Sequence, residues 1–292
     1  MAALDGKVAI VTGAGQGLGR SHALRLAAEG AAVVVNDVSA PGAQAVVDDI
    51  VAGGGRAAVN TASVSDWKAA QELVAQAVDG FGDLHVVVNN AGILRDKMSF
   101  SMDEAEWDAV IDVHLKGHFA LSRHAGKWWR EQSKSGAAIP RRIVNTTSEA
   151  GLFGSAGQAN YASAKGGIVT MTWVFARELG RYGVTANVIA PRARTQMTEA
   201  IPFFAAPAEG GFDTYDPAHV SAVVAWLATD ATADINGQIF IVIGGDVHLI
   251  RPFTVANSIH AERGWTVESL EQAKAELVAG VDTQPPNTPI GG

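Results

Sequence analysis

Residues 7–20, KVAIVTGAGQGLGR, join a short β-branched apolar run to a glycine-rich turn. Lys7–Thr12 is typical of a buried strand, and the stretch that continues to Glu29 predicts a helix that Gly30 ends. A glycine motif between a strand and a helix indicates a nucleotide site, because the backbone can approach a pyrophosphate that the helix N-terminus stabilises. The alternative is a tight turn without a ligand.

The next predicted strand, Ala31–Asn36, ends at Asp37. A carboxylate at this place can accept hydrogen bonds from both hydroxyls of an adenosine ribose, and it would repel a 2′-phosphate. Asp37 therefore favours NAD over NADP as the cofactor. The alternative is a carboxylate that only caps the turn before Ser39.

The alternation of strands and helices continues along the chain. Helices are predicted over 41–52, 66–79, 103–132 and 159–180, and strands over 56–61, 84–88, 141–147 and 184–189. This pattern predicts a single α/β domain, a Rossmann-like doubly wound parallel sheet of about seven strands with helices on both faces. The domain would span residues 1–250, with a C-terminal helical extension at 251–281 and a disordered or extended tail at 282–292.

The extension is expected to hold one helix. Trp265, Thr266 and Leu270 predict a hydrophobic staple around a threonine N-cap, and Gly280 is the expected stop. This helix would serve subunit contacts or cover a neighbouring site.

Residues 148–165, SEAGLFGSAGQANYASAK, predict a strand end, a loop and the start of a helix. Tyr161 and Lys165 would lie about one helical turn apart on the same face. The lysine ammonium should lower the pKa of the phenol, which would suit a general acid or base acting on an alcohol or carbonyl. Ser148 could bind the same oxygen if the loop folds back. The alternative is an ordinary surface helix, because Y-x-x-x-K is a common pattern.

Several candidate residues follow predicted strands, where open α/β sheets bind their ligands. They are Gly13, Asp37, Asn89, Ser148 and Pro191. Their shared position predicts one composite site.

The composition argues against several classes of function. A net charge of −8 disfavours nucleic acid as a partner, and the absence of cysteine excludes disulfides and thiolate metal ligands. No metal site is predicted. The first residues, MAALDGK, lack the pattern of a signal peptide, and no apolar run is long enough to span a membrane. We therefore expect a cytoplasmic protein without a membrane partner.

Taken together, these motifs resemble the short-chain dehydrogenases/reductases. TGAGQGLG is similar to their T-G-x-x-x-G-x-G turn, NNAG to their structural motif, and Ser148, Tyr161 and Lys165 have their catalytic spacing. The resemblance runs from Lys7 to about Gly245. NNAGILRD, WDAVIDVHLKGHF, GQANYASAK and NVIAPRARTQMT further resemble the (3R)-hydroxyacyl-CoA dehydrogenase portion of the peroxisomal type 2 multifunctional enzyme and related bacterial stand-alone dehydrogenases.

This resemblance implies an NAD-dependent oxidoreductase that moves a hydride between a secondary alcohol or ketone and the nicotinamide. Tyr161 would exchange the substrate proton, Ser148 would hold the substrate oxygen, and Lys165 would bind the nicotinamide ribose and tune Tyr161. The implied cofactor-binding residues are Gly13, Gln16, Gly17, Leu18, Gly19, Asp37, Ser63, Val64, Asn90, Ala91, Gly92, Tyr161, Lys165, Pro191 and Thr195. The family usually forms dimers or tetramers, so a homodimer or homotetramer is expected.

Two positions depart from the family pattern. His114 stands where the family has a catalytic asparagine, whose main-chain carbonyl is thought to hold a water of the proton relay. His114 is therefore a fourth catalytic candidate, acting through its main chain or, as the alternative, through its imidazole as a general base. Ala62 replaces an aspartate that contacts adenine, which leaves this contact to the backbone or to Ser63 and Val64.

The substrate class is predicted from the segment that follows the strand 184–189. The segment 195–215 mixes phenylalanines with glycines and prolines, which suits a mobile lid over an apolar substrate, or else an ordinary connection. Arg95, Lys97, Arg192 and Arg194 are candidates to meet the phosphates of CoA. A (3R)-3-hydroxyacyl-CoA thioester is the favoured substrate. The alternatives are a hydroxysteroid or other bulky alcohol and, less favoured, a dinucleotide-binding scaffold without turnover.

Overall fold

Eight strands form one sheet in the order β3-β2-β1-β4-β5-β6-β7-β8. They are β1 (Val8–Thr12), β2 (Ala32–Asn36), β3 (Arg56–Asn60), β4 (Val86–Asn89), β5 (Arg141–Thr146), β6 (Val184–Arg192), β7 (Ile239–Ile243) and β8 (Asp246–Ile250). The computed structural model describes residues 2–136, 139–196, 204, 207, 211–251 and 253–286.

Helices cover both faces of the sheet, as a doubly wound fold requires. They are α1 (Gly17–Ala28), α2 (Ala40–Ala52), α3 (Trp67–Phe81), α4 (Glu104–Ile111), α5 (Gly117–Lys134), α6 (Glu149–Phe153), α7 (Ala159–Leu179), α8 (Pro217–Ala228) and α9 (Val267–Leu277). The side chains of β1 alternate between the two cores: Ala9 and Val11 pack with α1, α2 and α8, whereas Val8 and Ile10 pack with α3, α5 and α7. The predicted fold class is therefore confirmed.

The chain reverses its direction of winding between β1 and β4, which are neighbours in the sheet although two strands separate them in sequence. Such a switch point leaves a crevice beyond the carboxyl ends of the strands, where ligands of open α/β sheets bind. The candidate site residues lie around this crevice.

One edge of the sheet departs from the parallel arrangement. β1 to β7 run parallel, but β8 pairs antiparallel with β7, with Ile243 opposite Asp246. Gly244 and Gly245 form the turn between them, and the positive φ of Gly244, 53°, fits this tight connection. A two-residue turn can join only antiparallel strands.

The predicted helix over 103–132 is interrupted. α4 ends at Ile111, the five residues Asp112–Lys116 form a π-helical turn, and α5 begins at Gly117. A π-turn inserts one residue into the helix and re-aims the side chains that it carries. The loop predicted after Ser148 also contains a helix, the short α6, whose N-cap is Ser148.

The C-terminal extension contains the predicted helix. Thr266 and Ser269 form a capping box at the start of α9. The helix ends at Leu277, three residues before the expected stop at Gly280. Gly280 follows with a positive φ of 71°. Residues 282–286 form neither helix nor strand, and the rest of the predicted tail lies outside the described residues. No helix in the described ranges is long and apolar enough to cross a membrane.

Candidate active site

The glycine turn after β1 brings backbone N–H groups to the crevice. Gln16, the N-cap of α1, makes no side-chain hydrogen bond to the first turn, so the helix N-terminus stays available to a ligand. A Cβ on Gly13 would lie 2.7 Å from Cα of Ala91, and a Cβ on Gly19 would overlap the carbonyl oxygen of Gly13. These positions therefore require glycine. The resulting cradle fits the pyrophosphate of a dinucleotide.

Asp37 lies at the carboxyl end of β2, beside the glycine turn. Its carboxylate accepts hydrogen bonds from the N–H of Gly15 at 2.9 Å and from the N–H of Ser39 at 2.8 Å. Asp37 therefore caps the turn before Ser39, as the alternative interpretation predicted. The same contacts hold a negative charge next to the predicted pyrophosphate cradle.

The NNAG segment braces the glycine turn. The backbone N–H groups of Asn90 and Ala91 donate to Oγ1 of Thr12 at 3.0 and 3.1 Å. The side-chain amide of Asn90 donates to the carbonyl oxygens of Thr12 and Gly13. These bonds join the ends of β1 and β4 below the crevice.

Lys165 is held rigidly in the first half of α7. Its buried Nζ donates to the carbonyl oxygen of Thr146 at 2.7 Å, and Oγ1 of Thr147 donates to the Lys165 carbonyl oxygen at 2.7 Å. A Cβ on Gly151 would lie 2.6 Å from Cβ of Lys165, so α6 and α7 pack in close contact. The end of β5, α6 and α7 therefore form one packed unit.

This unit brings Ser148 and Tyr161 together. The Ser148 hydroxyl interacts with the phenol and by itself lowers the pKa of Tyr161, and both residues line the same cavity. Oγ of Ser148 also accepts a hydrogen bond from the N–H of Ala150 at 3.2 Å. Nζ of Lys165 lies 5.5 Å from the centroid of the Tyr161 ring. The loop folds back as the sequence analysis required, and the three predicted groups share one site.

The predicted lowering of the Tyr161 pKa by Lys165 is wrong for this structure. Burial raises the pKa of the phenol, and the hydrogen bond with Ser148 opposes this rise only in part. Burial also lowers the pKa of Lys165 to about 7. The reason is that removal from water outweighs the attraction between the two groups, and Nζ points to Thr146 rather than to the phenol oxygen.

His114 lies on the π-turn, with its ring edge-to-face against Tyr161 at a centroid distance of 5.1 Å. Its Nε2 lies 3.0 Å from the backbone nitrogen of Ile93 and 2.8 Å from the Ile93 carbonyl oxygen. Gly92 makes room for the ring, because a Cβ there would overlap Cε1. Burial and the nearby Lys165 lower the pKa of His114 to about 3, so the imidazole is neutral near pH ~7.

A cavity of about 540 Å³ collects most of the predicted site residues. Its wall includes Gln16, Gly17, Leu18, Asn90, Gly92, His114, Ser148, Tyr161, Lys165, Pro191 and Thr195. Leu94 and Phe204 add apolar surface. We call this space the active-site cavity.

The other predicted residues, Gly13, Gly19, Asp37, Ser63, Val64 and Ala91, do not line this cavity. Val64 packs against Gly117, where a Cβ would lie 2.9 Å from Cγ2 of the valine. The Ser63 hydroxyl lies 2.8 Å from that of Ser65.

Glu149, Gln158 and Asp96 line the cavity but were missed by the sequence analysis. Glu149 forms an ion pair with Arg192, with an Nη2–Oε1 distance of 2.8 Å. Nε2 of Gln158 donates to Asp96 at 2.8 Å, across 62 residues of sequence. Glu149 and Arg192 directly follow the predicted site residues Ser148 and Pro191, a signal that could have paired them.

The basic residues proposed for CoA phosphates are engaged elsewhere. Arg192 pairs with Glu149, Lys97 with Glu106 at 2.6 Å, and Arg194 with Asp213. Nη1 of Arg95 donates to the neighbouring carbonyl oxygen of Leu94 at 2.7 Å. None of these contacts supports phosphate binding.

Part of the predicted lid, 195–215, can be described. Phe204 contacts Tyr215 at a ring-centroid distance of 4.9 Å, and both Thr195 and Phe204 line the active-site cavity. Residues 197–203, 205, 206 and 208–210 lie outside the described residues.

Comparison with known proteins identifies relatives of this chain. The model of the short chain dehydrogenase family matches residues 7–202. Hydroxyacyl-CoA dehydrogenase ChsB1 of Mycobacterium tuberculosis is 51% identical over 285 residues, which cover 94% of this chain and 87% of that protein. Peroxisomal multifunctional enzyme type 2 of Mus musculus is 38% identical over 253 residues, covering 85% of this chain but 33% of that protein.

A solved structure covers almost the whole chain. The crystal structure of a short chain dehydrogenase from Mycobacterium avium has a TM-score of 0.89 and 45% sequence identity, and the match covers 99% of each chain.

Proposed function

The chain belongs to the short-chain dehydrogenase family and is an oxidoreductase that uses a nicotinamide dinucleotide, and on that premise we propose that it is an NAD-dependent dehydrogenase of (3R)-3-hydroxyacyl-CoA thioesters. The contact of Ser148 with Tyr161, inside a cavity that begins at the N-terminus of α1, carries the proposal. The 51% identity to a hydroxyacyl-CoA dehydrogenase supports the choice of substrate.

The residues of the site have separate tasks in this proposal. Tyr161 takes the proton of the substrate hydroxyl during oxidation and returns it during reduction. Ser148 holds the same substrate oxygen through its hydroxyl. The N-terminus of α1 would hold the pyrophosphate, Asp37 the adenosine ribose and Lys165 the nicotinamide ribose. When bound, the nicotinamide accepts the hydride from the alcohol carbon or returns it to the carbonyl.

A substrate panel tests this proposal. Purified protein and NAD are mixed with (3R)- and (3S)-3-hydroxyacyl-CoA thioesters and with hydroxysteroids, and NADH formation is followed. We expect the highest kcat/KM with a (3R) thioester. A hydroxysteroid that outperforms every thioester would overturn the substrate assignment but leave the dehydrogenase chemistry in place.

We also propose that the protein is a homodimer or homotetramer. Phe100, Trp107 and Phe119 are large apolar side chains exposed at or near α4 and α5, and they suit a subunit contact. Sedimentation equilibrium measures the oligomeric state directly, and a monomer would contradict this proposal.

The Asp37→Ala variant tests the choice of cofactor. In the native protein the carboxylate of Asp37 would lie beside the 2′-phosphate of NADP, and the two negative charges would repel each other. We therefore expect kcat/KM to favour NAD over NADP by roughly tenfold or more, on the order of 1.4 kcal/mol. The Asp37→Ala variant lacks this negative charge, so the ratio of kcat/KM with NAD to kcat/KM with NADP should be smaller. Glu29→Ala, which changes the same charge at the far end of α1, is the control. Equal efficiency of the native protein with both cofactors would refute the assignment.

The His114→Asn variant tests whether the imidazole carries the proton. The low pKa of His114 and its contact with Ile93 favour a main-chain and packing role, so activity should stay within several-fold of the native value. The pH–rate profile should lose no ionisation. If the imidazole were the general base, the rate would fall by ~100-fold. Asparagine is a better probe than alanine, because alanine would leave a larger cavity.

A further inference from the structure

A second space adjoins the active-site cavity, and we call it the outer cleft. It has a volume of about 680 Å³ and is lined by Ser148, Glu149, Ala150, Phe153, Gly154, Ser155, Ala156, Gln158, Pro285 and Pro286. Ser148, Glu149 and Gln158 also line the active-site cavity. The two spaces therefore meet at the serine that would hold the reacting oxygen.

The far wall of the outer cleft comes from the C-terminal segment. Pro285 and Pro286 follow α9 and lie beside α6 and the loop 154–158, more than a hundred residues away in sequence. The side chain of Asn257 helps to fix the end of α9, because its amide donates to the carbonyl oxygens of Leu277 and Ala279 at 2.9 Å each. Two consecutive prolines restrict the backbone and make a stiff wall.

The volume of the active-site cavity requires such a second space. A cavity of about 540 Å³ must admit the nicotinamide end of the cofactor as well as the reacting carbon. Sites for a single small ligand already occupy roughly 300–1,000 Å³. A long substrate must therefore extend out of this cavity, and the outer cleft borders the cavity at Ser148, Glu149 and Gln158.

The chemistry of the outer cleft selects among substrate parts. Phe153, Pro285 and Pro286 are apolar, whereas Ser155 and Gln158 carry hydrogen-bonding groups. The charge of Glu149 is balanced by Arg192, and no lysine or arginine occurs among the described residues of the wall. This mixed, uncharged surface suits an amide-bearing arm better than phosphates or a hydrocarbon ring system.

We propose that the outer cleft binds the pantetheine arm of an acyl-CoA substrate, with Pro285 and Pro286 of the C-terminal segment as its outer wall. This inference rests on the proposed function. The hydroxyl-bearing carbon lies at Ser148 and Tyr161, and the acyl chain lies against Leu94 and Phe204 in the active-site cavity. The two amides and the hydroxyl of the arm follow Gln158 and Ser155 outwards, and the phosphates of CoA lie beyond the cleft.

Three thioesters of one (3R)-3-hydroxyacyl chain test the cleft. The S-ethyl thioester has no arm, the S-pantetheine thioester has the arm alone, and the CoA thioester has the arm and the phosphates. For the native protein we expect the pantetheine and CoA thioesters to agree within several-fold, and both to exceed the ethyl thioester in kcat/KM by roughly tenfold or more, the scale of a modest binding contribution.

The Ala156→Trp variant fills the outer cleft without touching the active-site cavity. We expect it to lower kcat/KM for the pantetheine and CoA thioesters by roughly tenfold, mainly through KM, because it removes binding far from the reacting carbon. The rate with the ethyl thioester and the KM for NAD should stay within about twofold. Ala52→Trp, on an exposed site at the end of α2, is the matched control.

The outcomes separate the two proposals. If the native protein oxidises no thioester, the proposed function fails. If it oxidises all three but Ala156→Trp slows all of them equally, or none, the cleft proposal fails and the function stands. The cleft proposal would also fail if, in the native protein, kcat/KM rose as much from the pantetheine to the CoA thioester as from the ethyl to the pantetheine thioester. The phosphates of CoA would then contribute as much to binding as the arm does. The double variant Pro285→Gly/Pro286→Gly, which loosens the wall without filling it, should shift the same ratio in the same direction.

Discussion

The Tyr161→Phe variant is expected to turn over its alcohol substrate roughly 100-fold or more slowly than the native enzyme. Phenylalanine keeps the ring and its edge-to-face contact with His114, at 5.1 Å, but removes the hydroxyl that would exchange the substrate proton. It also removes the interaction of the phenol with Ser148. Steady-state kinetics with a substrate whose chemical step limits the rate measures the effect.

Binding and stability serve as controls for this variant. The affinity for the cofactor should change little, because the N-terminus of α1 and Asp37 are untouched. Tyr182→Phe, on a turn after α7, removes the same hydroxyl from a residue that does not line the active-site cavity, and it should leave the rate unchanged. Native turnover by Tyr161→Phe would refute the assignment of the proton carrier.

The Lys165→Met variant should lose activity on the same scale, roughly 100-fold, and also change how stability depends on pH. Methionine replaces the buried stem of the lysine with a side chain of similar shape but removes the ammonium. Its loss takes away the donor to Thr146 and the predicted contact with the nicotinamide ribose.

The sign of the pH effect follows from the burial of Lys165. Burial lowers its pKa from 10.5 to about 7 in the folded protein. Between these values the unfolded chain binds more protons than the folded one, so this group makes stability rise as the pH rises. Below about pH 7 both states are protonated, and its contribution is a constant penalty on the order of 5 kcal/mol.

Denaturant unfolding at several pH values across this window measures the effect. In Lys165→Met the free energy of unfolding should lack the rise with pH that Lys165 causes. Its value near pH ~7 should not fall despite the lost hydrogen bond, because the penalty for a buried ammonium exceeds the ~1 kcal/mol of one hydrogen bond. Lys127→Met, at an exposed position of α5, is the matched control. An unchanged pH slope in Lys165→Met would contradict the burial argument.

Local patterns in the sequence were enough to predict the parts of the fold that form locally. The run Lys7–Thr12 followed by glycines predicted β1, the turn and α1, because each has its own composition and the order is diagnostic. α8, β7 and β8 were missed, although Gly244-Gly245 followed by the alternating residues of Asp246–Ile250 carried a hairpin signal.

Other features depend on tertiary contacts that no local pattern reports. The π-turn at Asp112–Lys116 contains neither proline nor glycine, and it places His114 against Gly92 and Ile93. The raised pKa of Tyr161 depends on burial, which periodicity alone does not measure. The position of Pro285 beside α6 likewise follows from the path of the chain after α9.

The contact between Gly92 and His114 restricts the order in which these two positions can change during evolution. A methyl group added first at Gly92 would occupy the space of Cε1 of the imidazole, so the native main chain could not form unchanged. Asparagine has no such atom, and a lineage that first replaced His114 would open the space that a later alanine at position 92 needs. The order in which His114 changes first therefore avoids this clash, whereas the order in which Gly92 changes first meets it.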